Sequence, residues 1–137
     1  MDLANDTALI TGSSGGIGEE FARRLAARKT NLVLVARRLD KLEGLRATLL
    51  DRYPDIEVDV IAADLSVPGS GAQLAEEVGR SGRRIDALIN NAGIGLHGEF
   101  VDQEPDSNAA QIQLNCGTLV DLTARFLPAM KIARHGL

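Results

Sequence analysis

Four short clusters of small, polar and charged residues punctuate this 137-residue chain, each directly after a run of β-favouring aliphatic residues. The first is Thr11-Gly12-Ser13-Ser14-Gly15-Gly16-Ile17-Gly18. Its spacing suits a phosphate cradle. Gly12 lets a strand turn sharply, Gly16 lets a pyrophosphate approach the main chain, and Gly18 lets helix and sheet pack closely. A helix starting there aims its free N–H groups and the positive end of its dipole at the phosphates. The competing reading is a glycine turn that merely links strand to helix. A triphosphate-cradling loop is excluded, because no Gly-Lys-Ser/Thr follows.

The second cluster is Ala36-Arg37-Arg38. An NAD-selective site places an acid here to bind the ribose 2′-OH. Ala36 is uncharged instead, and the planar fork of Arg37 can pair with a 2′-phosphate. Arg37 is therefore read as an NADP contact, with Arg38 left open against a solvated cationic pair. The third cluster is Asp64-Leu65, whose carboxylate can accept from an adenine amino group while a backbone N–H beside it meets a ring nitrogen. A helix-capping Asp is the alternative. The fourth is Asn90-Asn91-Ala92-Gly93. Adjacent amides at an apolar strand end need hydrogen-bond partners. One of them is expected to tie neighbouring strands while Ala92 and Gly93 make room for a ribose.

Such clusters converge only if the strands before them end at one edge. The apolar runs Thr7–Thr11, Asn31–Ala36, Ile56–Ala62 and Ala87–Asn90 read as strands. Between them, Ile17, Phe21, Leu25 and Arg28 mark one helix, and Leu39, Leu42, Leu45 and Leu49 a second, closed by Pro54. Ser66 is read as the cap of a third helix running to about Arg80. A long helix from about Asp106 to Arg134 is predicted to be interrupted near Pro128. Strands alternating with helices predict one α/β domain over residues 1–137. Right-handed crossovers make it a doubly wound, Rossmann-like parallel sheet of order 3-2-1-4.

Composition narrows the function. The chain is 45% hydrophobic, 25% charged and 3% aromatic, with a net charge of -4, which fits an aliphatic core and argues against disorder. Residues 1–50 carry eight Lys/Arg against six Asp/Glu, and residues 51–137 seven against thirteen. No clustered basic face for nucleic acid follows from this distribution. No apolar run approaches membrane-spanning length. The acidic Met1-to-Asp6 stretch is unlike a secretory signal. A single cysteine, Cys116, rules out a disulfide framework and points to a reducing, cytoplasmic setting. Cys116 is read as a small core side chain, His97 as a solvent-exposed loop residue and His135 as part of a frayed tail. The two His and one Cys show no metal-ligand spacing.

Taken in order, Thr-Gly-x-x-x-Gly-Ile-Gly, Ala-Arg after strand two, Asp-Leu after strand three and Asn-Asn-Ala-Gly resemble the short-chain dehydrogenase/reductase family, over about Thr7 to Met130. The resemblance implies an oxidoreductase that moves a hydride between a nicotinamide cofactor and an alcohol or carbonyl carbon. It implies NADP over NAD, bound by Gly12, Ser13, Ser14, Gly16, Ile17, Gly18, Arg37, Asp64, Leu65, Asn91, Ala92 and Gly93. It also gives Asn115, in Leu114-Asn115-Cys116-Gly117, a catalytic role in ordering a water for proton relay.

The family's catalytic Ser, and its Tyr and Lys four apart, have no counterparts here. No Ser follows Ser107, Tyr53 is the only Tyr, and Leu127 stands four before Lys131. General acid–base catalysis contributes about 10²–10⁴-fold, so the 137 residues alone are expected to show little or no dehydrogenase activity. The alternatives are a non-catalytic NADP-binding module and an interaction protein that receives strands from a partner. An uncovered strand-four edge and an apolar last helix (Ile112, Leu119, Leu122, Phe126, Leu127) predict self-association.

Overall fold

The most aliphatic runs in the chain are also its most buried. β1 (Thr7–Thr11) is buried at every residue, and β2 (Asn31–Ala36) at all but its first. The computed structural model describes residues 3–137, so Met1 and Asp2 of the acidic N-terminal stretch lie outside the described residues. β3 (Val58–Ala62) and β4 (Ala87–Ile89) complete a four-stranded parallel sheet of order β3-β2-β1-β4. Its register pairs Ile10 with Leu34 on one side and with Ile89 on the other.

Successive strand residues point to opposite faces, which makes two cores. Ala8, Ile10, Leu32 and Leu34 pack against Leu25 of α1 (Gly16–Ala26) and Leu42, Leu45 and Leu49 of α2 (Leu39–Arg52). Leu9, Val33 and Val35 pack against Leu74 and Val78 of α3 (Ser70–Arg80) and Leu122 and Met130 of α5 (Leu119–Ala133). Helices therefore cover both faces, the arrangement of a doubly wound, Rossmann-like sheet. No helix among the described residues is long and apolar enough to cross a membrane.

Several local expectations are corrected. The buried face of α1 is Gly18, Ala22, Leu25 and Ala26. Ile17 is instead 72% exposed, and Phe21 is exposed too. Close packing through the smallest residues turned the helix away from its bulkiest ones. Ser66 does not cap α3. Pro68 disfavours a helical residue before it, Gly69 takes a left-handed φ of 83°, and the helix starts at Ser70.

The last helical stretch is α4 (Pro105–Ile112), a π-helical turn (Gln113–Thr118) and α5. Its interruption is the wide turn, whereas Pro128 lies within α5. Cys116 faces outward from that turn and is exposed, because the inward positions go to Leu114 and Thr118.

The C-terminal tail is docked rather than frayed. His135 Nε2 lies 2.7 Å from Asp6 Oδ2. The Leu137 N–H donates to the Asp86 carbonyl, and the Leu88 N–H donates to the Leu137 carbonyl, each at 2.9 Å. That is the bonding of a parallel bridge opposite Ala87, so the first part of the β4 edge is not uncovered. Asp6, Asp86 and His135 each bring a ligand-type atom within 4.8 Å of the others. Arg84 already occupies Asp86 Oδ1 at 2.6 Å, and the Thr7 N–H occupies Oδ2 at 3.0 Å.

Candidate functional site

All four post-strand clusters lie at the carboxyl edge of the sheet, where β1 separates β2 from β4 and the strand order reverses. Between them lies a cavity of about 240 Å³, lined on one side by Gly12, Ser14, Arg37 and Arg38 and on the other by Asp64, Leu65, Ala92 and Gly93.

The glycine loop owes its shape to steric limits. Gly12 has φ 69°, and a Cβ there would come within 2.8 Å of Ala92 Cα. A Cβ on Gly18 would collide with the Gly12 carbonyl and approach Asn91 Nδ2 at 2.6 Å. Gly16, with φ 58°, faces open space instead. No side chain caps the first turn of α1. Its N–H groups thus front an open, side-chain-free approach, which fits a pyrophosphate. Ser13 is buried, and its hydroxyl donates to the Val35 carbonyl at 3.4 Å. Ser14 and the exposed N-terminal Ile17 stay at the surface of the loop.

At the end of β2 both arginines are exposed, and Arg38 Nη2 donates to Ser14 Oγ at 3.5 Å, across to the glycine loop. Asp64 Oδ1 accepts from the Ser66 hydroxyl at 2.6 Å and the Ser66 N–H at 3.0 Å. These bonds hold its carboxyl below the ordinary aspartate range against partial desolvation, and the charge of Arg37 lowers it further. Asp64 is thus tied into its own loop rather than capping α3.

The amides after β4 find partners as their burial requires. Asn91 Nδ2 donates to the carbonyls of Thr11 and Gly12 at 2.9 and 3.2 Å, and Asn90 Nδ2 donates to Thr123 Oγ1 at 3.1 Å. Sequence reasoning overlooked Thr11. Its hydroxyl accepts from the Asn91 and Ala92 N–H groups, each at 3.0 Å, and donates to the Ile89 carbonyl at 3.3 Å. Its signals were a hydroxyl at the last position of a buried strand and its place at the head of the glycine motif.

Asn115 lies in the π-turn. Its Oδ1 accepts from the Ile94 N–H at 3.0 Å, and its Nδ2 donates to the Ile94 carbonyl at 2.8 Å. Its side chain thus positions the loop after β4. Tyr53 lies between α2 and β3, at the opposite edge of the sheet, and Lys131 is exposed on α5.

Comparison with known proteins agrees with this geometry. A family model described as short chain dehydrogenase matches residues 6–137. Dehydrogenase/reductase SDR family member 7B of Bos taurus is 37% identical, with 98% of this chain matched to 42% of that protein. A short-chain dehydrogenase from Sphingobium yanoikuyae, solved in complex with NADPH, is 39% identical with a TM-score of 0.88, over 96% of this chain and 51% of that one. L-sorbose reductase from Gluconobacter frateurii, complexed with NADPH and L-sorbose, is 30% identical with a TM-score of 0.87, over 97% of this chain and 51% of the other. The chain therefore spans about half the length of these relatives. With the glycine cradle, the Asn91 tie and the Asn115 clamp in one register, the chain belongs to the short-chain dehydrogenase family.

Proposed function

We propose that the chain is the cofactor-binding half of an NADP-dependent oxidoreductase acting between an alcohol and a carbonyl compound. The observation that carries the cofactor choice is the wall after β2. Arg37 and Arg38 line the cavity, Ala36 rather than an acid ends β2, and Arg38 reaches Ser14 of the glycine loop. Two guanidinium groups at that corner favour a 2′-phosphate over a bare 2′-OH. Asp64 and Leu65 take the adenine end, the α1 N-terminus takes the pyrophosphate, and Asn91, Ala92 and Gly93 flank the ribose on the nicotinamide side. The bound nicotinamide supplies a hydride acceptor or donor.

Within these 137 residues, Asn115 shapes the site, and no Tyr stands four residues before a Lys. Dehydrogenase turnover is therefore expected to be negligible from this chain by itself. A non-catalytic NADP-binding module or an interaction module is the second reading. Self-association belongs to the same proposal. Ile112, Val120, Leu127 and Ile132 on α4 and α5 are each more than half exposed, and apolar surface of this kind favours contact with another chain. A cytoplasmic setting, read from the single Cys116, completes it.

Titration with NADPH and NADH, followed by nicotinamide fluorescence, tests the reading. Saturable binding with a preference for NADPH that falls about tenfold or more in Arg37→Ala or Arg38→Ala supports it. Equal affinity for the two, unchanged by either variant, overturns the NADP choice. Absence of binding to both overturns the module.

A further inference from the structure

The loops after β3 and β4, which line the same side of the cavity, are both held by one wide helical turn. Asn115 clamps Ile94 on the loop after β4 through both main-chain groups. Three residues on, Thr118 is buried, and its hydroxyl donates to the Leu65 carbonyl at 2.7 Å, on the loop after β3. The same hydroxyl accepts from Gln113 Nε2 at 3.1 Å. On a regular α-helix, residues five apart stand about 140° apart around the axis. The π-turn over Gln113–Thr118 widens the coil and brings the two to one side. Gly117 leaves the space this needs, because a Cβ there would come within 3.0 Å of the Gln113 amide.

Thr118 has one hydroxyl proton, and the bond from Gln113 fills an acceptor site on its oxygen, leaving that proton for Leu65. Gln113 therefore sets the direction in which Thr118 donates. Leu65 follows Asp64 directly, so holding its carbonyl fixes the main chain that carries the Asp64 carboxylate. The side chain of Leu65 packs in the same core as Leu122 and Leu114, which locks the loop to the helix on a second contact.

We propose that Thr118, oriented by Gln113, is a positioning residue for the adenosine end of the cofactor, and that the π-turn couples this loop to the loop at Ile94. The proposal rests on the dinucleotide reading of the cavity. Ordering either loop seats the turn, and a seated turn orders the other loop, so the two loops are linked through the backbone of the turn rather than through the ligand alone.

The test pairs Thr118→Val, which keeps shape and loses the hydroxyl, with Thr118→Ser, which keeps it. In ligand-free protein, amide exchange at Val67 and Ile94 is expected to quicken in T118V, to return to the parent rate in T118S and to stay unchanged in α1. Binding of adenosine 2′,5′-bisphosphate, which carries only the adenosine end, and of NADPH is expected to weaken by about tenfold in T118V, again restored by serine. Exchange at Val67 unchanged in T118V, or T118S as impaired as T118V, overturns the positioning role. Faster exchange at Val67 with none at Ile94 overturns the coupling. Should T118V fail to fold, Gln113→Leu at its half-buried position gives the same readout, with unchanged exchange at Val67 counting against the proposal. If the parent binds neither probe while exchange responds as stated, the dinucleotide reading fails and the coupled turn stands.

Discussion

The side-chain amide of Asn91 donates to the Gly12 carbonyl at 3.2 Å, so the loop after β4 braces the loop after β1. The same amide reaches the Thr11 carbonyl at 2.9 Å, and Gly12 itself lines the cavity. Replacing Asn91 by Asp puts a carboxylate against two carbonyl oxygens. Leaving such groups unpaired costs about 1–3 kcal/mol. N91D is therefore expected to lower the urea midpoint and weaken NADPH binding together, with N91A intermediate. Parent-like values in N91D would show that the brace carries no weight.

Gly18 and Gly16 stand two residues apart and should respond for different reasons. A methyl on Gly18 meets the Gly12 carbonyl, a main-chain group with little freedom to move. Gly18→Ala is expected to cost about 1–3 kcal/mol, as overpacking does. Gly16 has nothing within 4 Å but holds φ 58°. Gly16→Ala should cost about 1–2 kcal/mol from the left-handed backbone alone and place its methyl in the open approach to the α1 N-terminus. Thermal melts should rank G18A as equally or more damaging to stability. NADPH titration of folded G16A should show the selective binding loss, and intact binding there would remove the pyrophosphate from this loop.

The Asp64 loop carries a pH dependence whose sign follows from its bonds. Ser66 holds the Asp64 carboxyl below the ordinary aspartate range, through its hydroxyl first and its N–H second. A folded-state pKa below the unfolded one means that the contribution is fully present above the unfolded value. It is lost as pH falls through the lowered folded value. The loop should accordingly stay ordered at neutral and mildly acid pH and loosen only below the usual aspartate range. An NMR titration of the Asp64 carboxyl carbon checks this, and in Ser66→Ala its midpoint should rise. A midpoint that is ordinary in the parent and unmoved in S66A would contradict it.

At the opposite edge, the contact between His135 and Asp6 fastens the tail that bridges Ala87. His135→Ala should release it at a cost of about 0.5–1.5 kcal/mol, seen as faster amide exchange at Leu88. Asp6→Asn keeps an acceptor oxygen and should retain most of the protection. Slow exchange at Leu88 in H135A would assign the docking to the main-chain bridge instead.

The sequence by itself determined the strand order, the two-faced sheet and the edge at which the functional clusters gather. Those features follow from aliphatic runs, their alternation with helical spacing, and the handedness of crossovers, all of which are local or generic. The family likeness was legible for the same reason, since glycines and amides in fixed order after successive strands need no knowledge of distant contacts. Tertiary structure alone decided which face of α1 packs inward. The approach of Gly18 to Gly12 and Asn91 allowed no bulk there, so Ile17 and Phe21 turned outward against their hydrophobicity. It likewise placed the helical interruption at Gln113–Thr118 rather than near Pro128. That choice is set by hydrogen bonds between Asn115 and Ile94 and from Thr118 to Leu65, partners 21 and 53 residues away. Docking of His135 on Asp6 spans 129 residues. No periodicity within a helix encodes a partner that far along the chain; the packed sheet brings the two together, and burial then demands that their polar groups pair.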